Sequence, residues 1–351
     1  MTDANIHGDN RFERHPVLTW GLITLIILMG VELVLRLFEP EALRFARELR
    51  HVFRYHDRWY TDYEPDTTTT VRLSDEHSGY YLNFLLTINE HGFRWHDRVL
   101  DAPLPDPVAK RLIHTIGDSF TMGWGVNYES SYPAQLQELL SPEFAVLNLG
   151  MSGYGVIGAT EKSLTLAEVF PPSAVIYLAT GNDYSDDEVA ASYAAKPAIV
   201  HRFFDGLNVV RRHVYLPNIW YAVRWHLYYR SRDQSEKQLL DPRGVSIRQH
   251  ALTDTSDPKI GQRSKAALSA FVRTLRARDV PLIVIAHGAN SRAIDIARFS
   301  AELDVPSYLI DFPEALTLHR EGHLNRVGNT RMAEYVLALL RLNGVLETKD
   351  P

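Results

Sequence analysis

The chain contains no cysteine, which excludes disulfides, thiolate metal sites and cysteine nucleophiles together. The absence leaves the compartment open, because a cysteine-free protein tolerates oxidising and reducing surroundings alike. Long basic runs are missing too and the net charge is −6, so the electrostatic footprint of a nucleic-acid binder is not there. A disorder-prone composition is also lacking: 45% of the 351 residues are hydrophobic and 23% are charged. That is apolar surface enough for one large domain or two modest ones.

Charge is absent over residues 17–31, VLTWGLITLIILMGV. Continued to Phe38, through Glu32 and Arg36, the run predicts a helix of about 33 Å at ~1.5 Å per residue, matching the hydrocarbon core of a bilayer. Glu32 and Arg36 stand four apart and can pair on one face; they lie near one end, where arginine reaches headgroups. No small-residue cleavage site follows, and the next stretch, EPEALRFARELRHVFR, is charged and helical in pattern. That favours a retained single-span anchor over a signal peptide or a buried helix. The short tail with Arg11 and Arg14 predicts a cytoplasmic N-terminus and a domain outside the cell membrane, against the pull of Arg36, Arg44, Arg47 and Arg50 after the span.

The expected organisation is a tail over 1–16, the anchor over 17–38, a juxtamembrane lead-in over 39–108 and an α/β domain over 109–345. The lead-in holds a threonine run at 67–70 and the Pro-rich DAPLPDP at 101–107, which reads as a linker. Beyond it, apolar runs at 111–116, 144–150, 174–180, 280–288 and 305–311 read as strands, and 132–140, 161–170, 264–278 and 328–342 read as helices. Alternating strands and helices predict a mostly parallel sheet covered on both faces. The rhythm breaks over about 186–262, an insertion that includes VYLPNIWYAVRWHLYYR at 214–230. This aromatic stretch reads as a helix packed on its own domain, with a lid, a substrate platform or a membrane-interface helix as the alternatives.

In such sheets, sites form beyond the carboxyl ends of the strands. Four loops there carry chemistry. In LIHTIGDSFTMGWGV (112–126), Ser119 stands at a strand-to-helix turn, where helix N-termini leave N–H groups unpaired. In NLGMSGYG (148–155), Gly153 can present its N–H with no side chain in the way. In ATGNDYSDD (179–187), Asn182 offers a carboxamide, and in HREGHLNRVGN (319–329), His323 precedes the last helix. Together they make a nucleophilic hydroxyl, a base, and oxyanion donors from the N–H groups of Ser119 and Gly153 and the side chain of Asn182.

These blocks resemble those of the SGNH (GDSL-type) hydrolase superfamily, over roughly 109–342 apart from 186–262; INEHGFRWHD (88–97) resembles the lead-in of membrane-anchored bacterial members. The resemblance implies a three-layer α/β/α domain, Ser119 as nucleophile, His323 as base, and Ser119, Gly153 and Asn182 as the oxyanion hole. The family often has Asp two or three residues before the His; here Glu321 and Arg320 stand there, so Glu321 is the candidate to orient the imidazole, with the carbonyl of a neighbouring residue as the alternative. Thr180 stands where a Gly often begins the third block.

Competing patterns are weaker. His319, Glu321 and His323 form H-x-E-x-H, but Gly322 breaks the helix and no third ligand is evident, so no metal or cofactor is expected. The G-x-S-x-G elbow is absent, since 117–121 read G-D-S-F-T. His287 and Asp311 read as structural, Asp118 as bonding within its own turn. Asp183, Asp186 and Asp187 read as a solvated loop, with a cation or substrate hydroxyls as the alternative. The sequence therefore predicts a membrane-anchored serine esterase acting on an acyl ester of a glycan or lipid-linked substrate. An O-acyltransferase, or a non-catalytic subunit that scaffolds a membrane complex with a protein partner, is the alternative.

Overall fold

The computed structural model describes residues 15–75, 80–96, 103–108, 110–220, 222–223, 261–288, 290–318 and 322–346. The charge-free run forms helix α1, Pro16–Phe38, opened by a proline whose missing N–H costs nothing in the first turn. None of its residues is buried, and by length and composition it is the one helix among the described residues able to cross a bilayer. The Glu32–Arg36 pair is made at 2.9 Å.

The segment that follows is ordered into helix α2 (Glu41–Val52) and two antiparallel hairpins, β1 (Phe53–His56) with β2 (Tyr60–Tyr63), and β3 (Thr67–Asp75) with β4 (Tyr80–Ile88). The threonine run is the start of β3, with Thr69 buried and Thr68 exposed, as a half-covered strand requires. Then come β5 (Arg111–Gly117), the single-turn α3 (Ser119–Met122), α4 (Tyr132–Leu139), β6 (Phe144–Asn148), α5 (Val156–Leu166) and β7 (Pro172–Ala179). Helix α5 starts five residues before the expected 161 and also ends earlier. Its Gly158 hid it from the pattern, yet a Cβ there would lie 2.8 Å from the Tyr154 ring. The insertion opens with two helices, α6 (Asp183–Ala194) and α7 (Ala198–His213). Most of the aromatic stretch beyond, from 224, lies outside the described residues. The chain closes with α8 (Gln262–Arg276), β8 (Leu282–His287), α9 (Ser291–Glu302), β9 (Ser307–Ile310) and α10 (Arg326–Leu342).

The central sheet is fully parallel, in the order β6-β5-β7-β8-β9. Period-2 alternation sends Val175, Tyr177 and Ala179 of β7 to one face and Ala174, Ile176 and Leu178 to the other. The first face packs against α5 and α8, the second against α4 and α10, giving a three-layer α/β/α domain. Residues of α2 and of both hairpins, including Phe45, Trp59, Tyr63 and Leu86, belong to the same core as the first face. A buried ion pair fastens that addition: Lys162 Nζ of α5 lies 2.8 Å from Asp62 Oδ1 of β2, which also accepts from the Tyr154 hydroxyl at 3.0 Å. From β5 the chain builds outward first to β6 and then to β7 on the other side. The crevice between those two loops is where an open parallel sheet holds its ligand.

Candidate active site

The turn after β5 is shaped by a glycine and an aspartate. Gly117 adopts φ +149°, and a Cβ there would lie 2.5 Å from Thr121 Oγ1 and 2.7 Å from the Leu178 carbonyl. Only glycine lets β5 run this close to β7 and still turn into α3. Asp118 caps α3, its Oδ1 accepting from Phe120 N–H at 2.9 Å. Ser119 is thereby the first helical residue, mostly buried, with its backbone N–H among those that a helix start leaves without an internal partner.

His323 comes from the far end of the chain, 204 residues away, and its Nε2 lies 2.7 Å from Ser119 Oγ. Its backbone is held by Leu318 N–H donating to the His323 carbonyl at 2.6 Å and by the bridge between Thr317 and Leu324. Asn325 then caps α10 through Gly328 N–H and ties back to the Ala315 and Thr317 carbonyls. The imidazole rests on the Phe120 ring at 4.7 Å. His287 packs against the rings of Phe120 and Phe312, at 4.5 and 5.6 Å, and Asp311 is exposed. Glu321, Arg320 and His319 lie outside the described residues.

Gly153 sits at φ +82° in the loop after β6, and an added Cβ would meet only Thr61 Oγ1, at 4.0 Å. That loop is pressed onto the Ser119 turn: Met151 N–H donates to the Gly117 carbonyl at 3.2 Å, and a Cβ on Gly150 would lie 2.3 Å from Met122 N. Asn182 precedes α6, is exposed, and spends one of its two amide protons on Asp186 at 2.6 Å.

Beneath these groups lies a buried polar cluster that the sequence reading missed. Thr180 Oγ1 is 2.8 Å from Asp118 Oδ2, 2.7 Å from Asn182 Oδ1 and 2.8 Å from Asp183 Oδ1. A hydroxyl donates one proton, so Thr180 Oγ1 satisfies one of these three oxygens at a time. Burial pushes both Asp118 and Asp183 above the ordinary carboxylate range, and for Asp183 the neighbouring Asp118 adds to it. The Tyr177 hydroxyl donates to Asp183 Oδ2. The expectation of a solvated acidic loop is corrected here: Asp183 and Asp187 are buried on the first turns of α6, where the positive helix end favours acids. Asp187 accepts from Ile157 N–H at 3.0 Å and from the Ser264 hydroxyl, joining α6 to α5 and α8. Among the described residues no group of His, Asp and Glu is arranged to hold a metal.

Burial raises Asp187 to about 7. A carboxyl raised in the folded state contributes stability that is complete below its unfolded value near 4 and lost as pH rises through about 7. Measured by urea unfolding between pH 4 and pH 8, the wild type is expected to lose about 3 kcal/mol relative to Asp187→Asn, whose neutral amide keeps both contacts. A constant difference between the two proteins across that range would show that Asp187 does not take up a proton on folding.

Comparison with known proteins agrees with this architecture. The GDSL-like Lipase/Acylhydrolase family profile matches residues 115–304, more than half of the chain; the match takes in Ser119, Gly153 and Asn182 and ends before His323. No match was found among curated proteins. Solved structures that resemble the chain include TesA, with 15% identity over 66% of this chain and 98% of that one at a TM-score of 0.39. Another is the psychrotrophic esterase EstA from Pseudoalteromonas sp., with 14% identity over 67% of this chain and 100% of that one at a TM-score of 0.37. A third is a member of the lipolytic protein G-D-S-L family from Veillonella parvula DSM 2008, with 13% identity over 66% of this chain and 98% of that one at a TM-score of 0.37. From a match that spans the turn after β5, the loop after β6 and the loop after β7, the chain belongs to the GDSL-like lipase/acylhydrolase family.

Proposed function

We propose that the chain is a membrane-anchored serine esterase that cleaves an acyl ester through an acyl-enzyme on Ser119. The observation that carries the reading is the 2.7 Å contact between Ser119 Oγ and His323 Nε2, since a serine hydroxyl is a poor nucleophile until a base takes its proton. In the proposed sequence, Ser119 Oγ attacks the ester carbonyl while His323 accepts the hydroxyl proton. The carbonyl oxygen takes up negative charge facing the N–H groups of Ser119 and Gly153 and the second amide proton of Asn182. His323 then protonates the departing alcohol. Water, deprotonated by the same imidazole, releases the acid. Glu321 is assigned to orient the imidazole through Nδ1. The residues 17–38 hold the protein in the cell membrane with the domain outside, and an ester on a glycan or lipid-linked molecule is the substrate class such an anchor favours.

Full-length protein in detergent is tested with a fluorophosphonate probe and with p-nitrophenyl acetate. Labelling and turnover are expected in the wild type and lost in Ser119→Ala. Folded wild-type protein that takes up no probe and hydrolyses no ester would overturn the hydrolase reading and favour a scaffolding role.

A further inference from the structure

The last turns of α1 are latched to the domain. Glu32 accepts from Tyr215 N–H at 3.0 Å and Leu216 N–H at 3.1 Å, Arg36 donates to the His213 carbonyl, and the Tyr215 hydroxyl donates to Glu39 at 2.8 Å. Tyr215 is buried, with the Arg47 guanidinium over its ring at 4.5 Å. Glu32 lies six residues inside the end of α1 at Phe38, about 9 Å along the axis at ~1.5 Å per residue. A spanning α1 therefore draws residues 213–216 down to the level of the bilayer surface.

The chain on both sides of that latch is exposed and apolar. On α7, Ile199, Phe203 and Val210 fall within about 40° of one another at 3.6 residues per turn, and Ile199 is 71% and Phe203 64% exposed. Just past the latch, Trp220 is 71% exposed, and Ile219 and Val223 are exposed beside it. The opposite side of α7 is committed to the domain: Phe204 meets the Tyr55 ring at 5.4 Å, Asn208 donates to the Phe53 carbonyl at 3.1 Å, and Arg212 reaches Glu64 and the Arg50 carbonyl. Exposed Arg202 and His213 lie along one edge of the stripe. An apolar stripe edged by basic groups, with a tryptophan at one end, is the pattern of an interfacial helix.

Resting on the anchor in the proposed function, we infer that α7 together with Ile219, Trp220 and Val223 forms a second membrane contact. Ile199, Phe203, Val210 and Trp220 enter the headgroup region of the same bilayer, so the domain lies against the membrane instead of hanging from a tether. The occupant is the lipid surface because the latch fixes the height of this segment relative to α1.

The absence of native cysteine makes the test direct. Full-length protein carrying one of Phe203→Cys, Trp220→Cys, Leu342→Cys or Leu25→Cys is labelled with an environment-sensitive nitrobenzoxadiazole dye. It is reconstituted in phosphatidylcholine–phosphatidylglycerol vesicles whose lipid is spin-labelled near the headgroup for the labels at 203, 220 and 342, and in the middle of the acyl chain for the label at 25. Labels at 203 and 220 are expected to be quenched at least about twofold more than the label at exposed Leu342. Quenching at 203 and 220 no greater than at 342, with Leu25 quenched, overturns the surface and leaves the anchor standing. A label at 203 shielded from aqueous iodide but untouched by lipid quencher means that a protein, such as a second copy, covers the stripe, and also overturns it. A Leu25 label that escapes quenching overturns anchor and surface together; fluorophosphonate labelling of the same samples reads the hydrolase assignment separately.

Discussion

His323→Ala is expected to lower kcat/KM on an acyl ester by about 10⁴–10⁶-fold, and adding Ser119→Ala to that background is expected to remove little more. In the proposed reaction the two side chains, 2.7 Å apart, act as one unit, the imidazole taking the proton that the hydroxyl gives up. What survives is the rate supplied by oxyanion donors and substrate binding, which alone can be worth 10³–10⁴ over water. Asn182→Ala should therefore cost less than either, about 10²–10³ in kcat. Steady-state kinetics on the three single variants and the double variant measure the pattern. His323→Gln, which keeps most of the ring's packing on Phe120, separates loss of the base from loss of fold. A His323→Ala protein within about tenfold of wild type would assign the base elsewhere.

Where one residue type sits on one face, the sequence was legible. The strands β5, β7 and β8 are buried on both sides and read as plain apolar runs, and the loops after them therefore declared Ser119 and Asn182 as rim residues. His323 could be read only by its order in the chain; the spacing of 204 residues says nothing about a 2.7 Å contact. The threonine run concealed β3, because the same side chain faces core at Thr69 and solvent at Thr68, leaving no alternation of polarity to detect. The DYSDD stretch misled for an electrostatic reason: carboxyls count as solvated in any sequence scale, whereas burial here favours their neutral form and hydrogen bonds from Tyr177, Thr180, Ile157 and Ser264 satisfy Asp183 and Asp187 inside. Thr180 is legible only in space, where its hydroxyl touches groups from two loops.

Arg94→Met is expected to destabilise the fold by about 4 kcal/mol or more and to remove most activity from whatever remains folded. Nothing in GFRWHD marks this arginine for the interior, yet it is wholly buried, beside the Phe84 ring. Its guanidinium donates to the carbonyls of Met122 and Gly123, each at 2.9 Å, and of Leu85 at 2.9 Å and Val126 at 2.8 Å. It thus gathers the loop 122–126 onto β4. The N–H groups of the same loop, from Gly123 and Trp124, hold the Ser119 carbonyl at 3.1 and 3.0 Å, so the clamp and the Ser119 turn share one piece of backbone. Removing the fork leaves buried carbonyls to be satisfied elsewhere. Met122 keeps Asn148 Nδ2 at 3.3 Å and Gly123 keeps Val126 N–H at 3.3 Å, which softens the loss at those two carbonyls. Hydrogen bonds from a charged donor are worth about 1.5–3 kcal/mol each. Arg94→Lys is expected to recover charge but only part of the stability, because an ammonium cannot reproduce a planar fork. Urea unfolding and the rate of fluorophosphonate uptake by Ser119 measure the two effects on the same samples. A methionine variant within about 1 kcal/mol of wild type, labelled at the native rate, would mean that the loop holds its shape without the clamp.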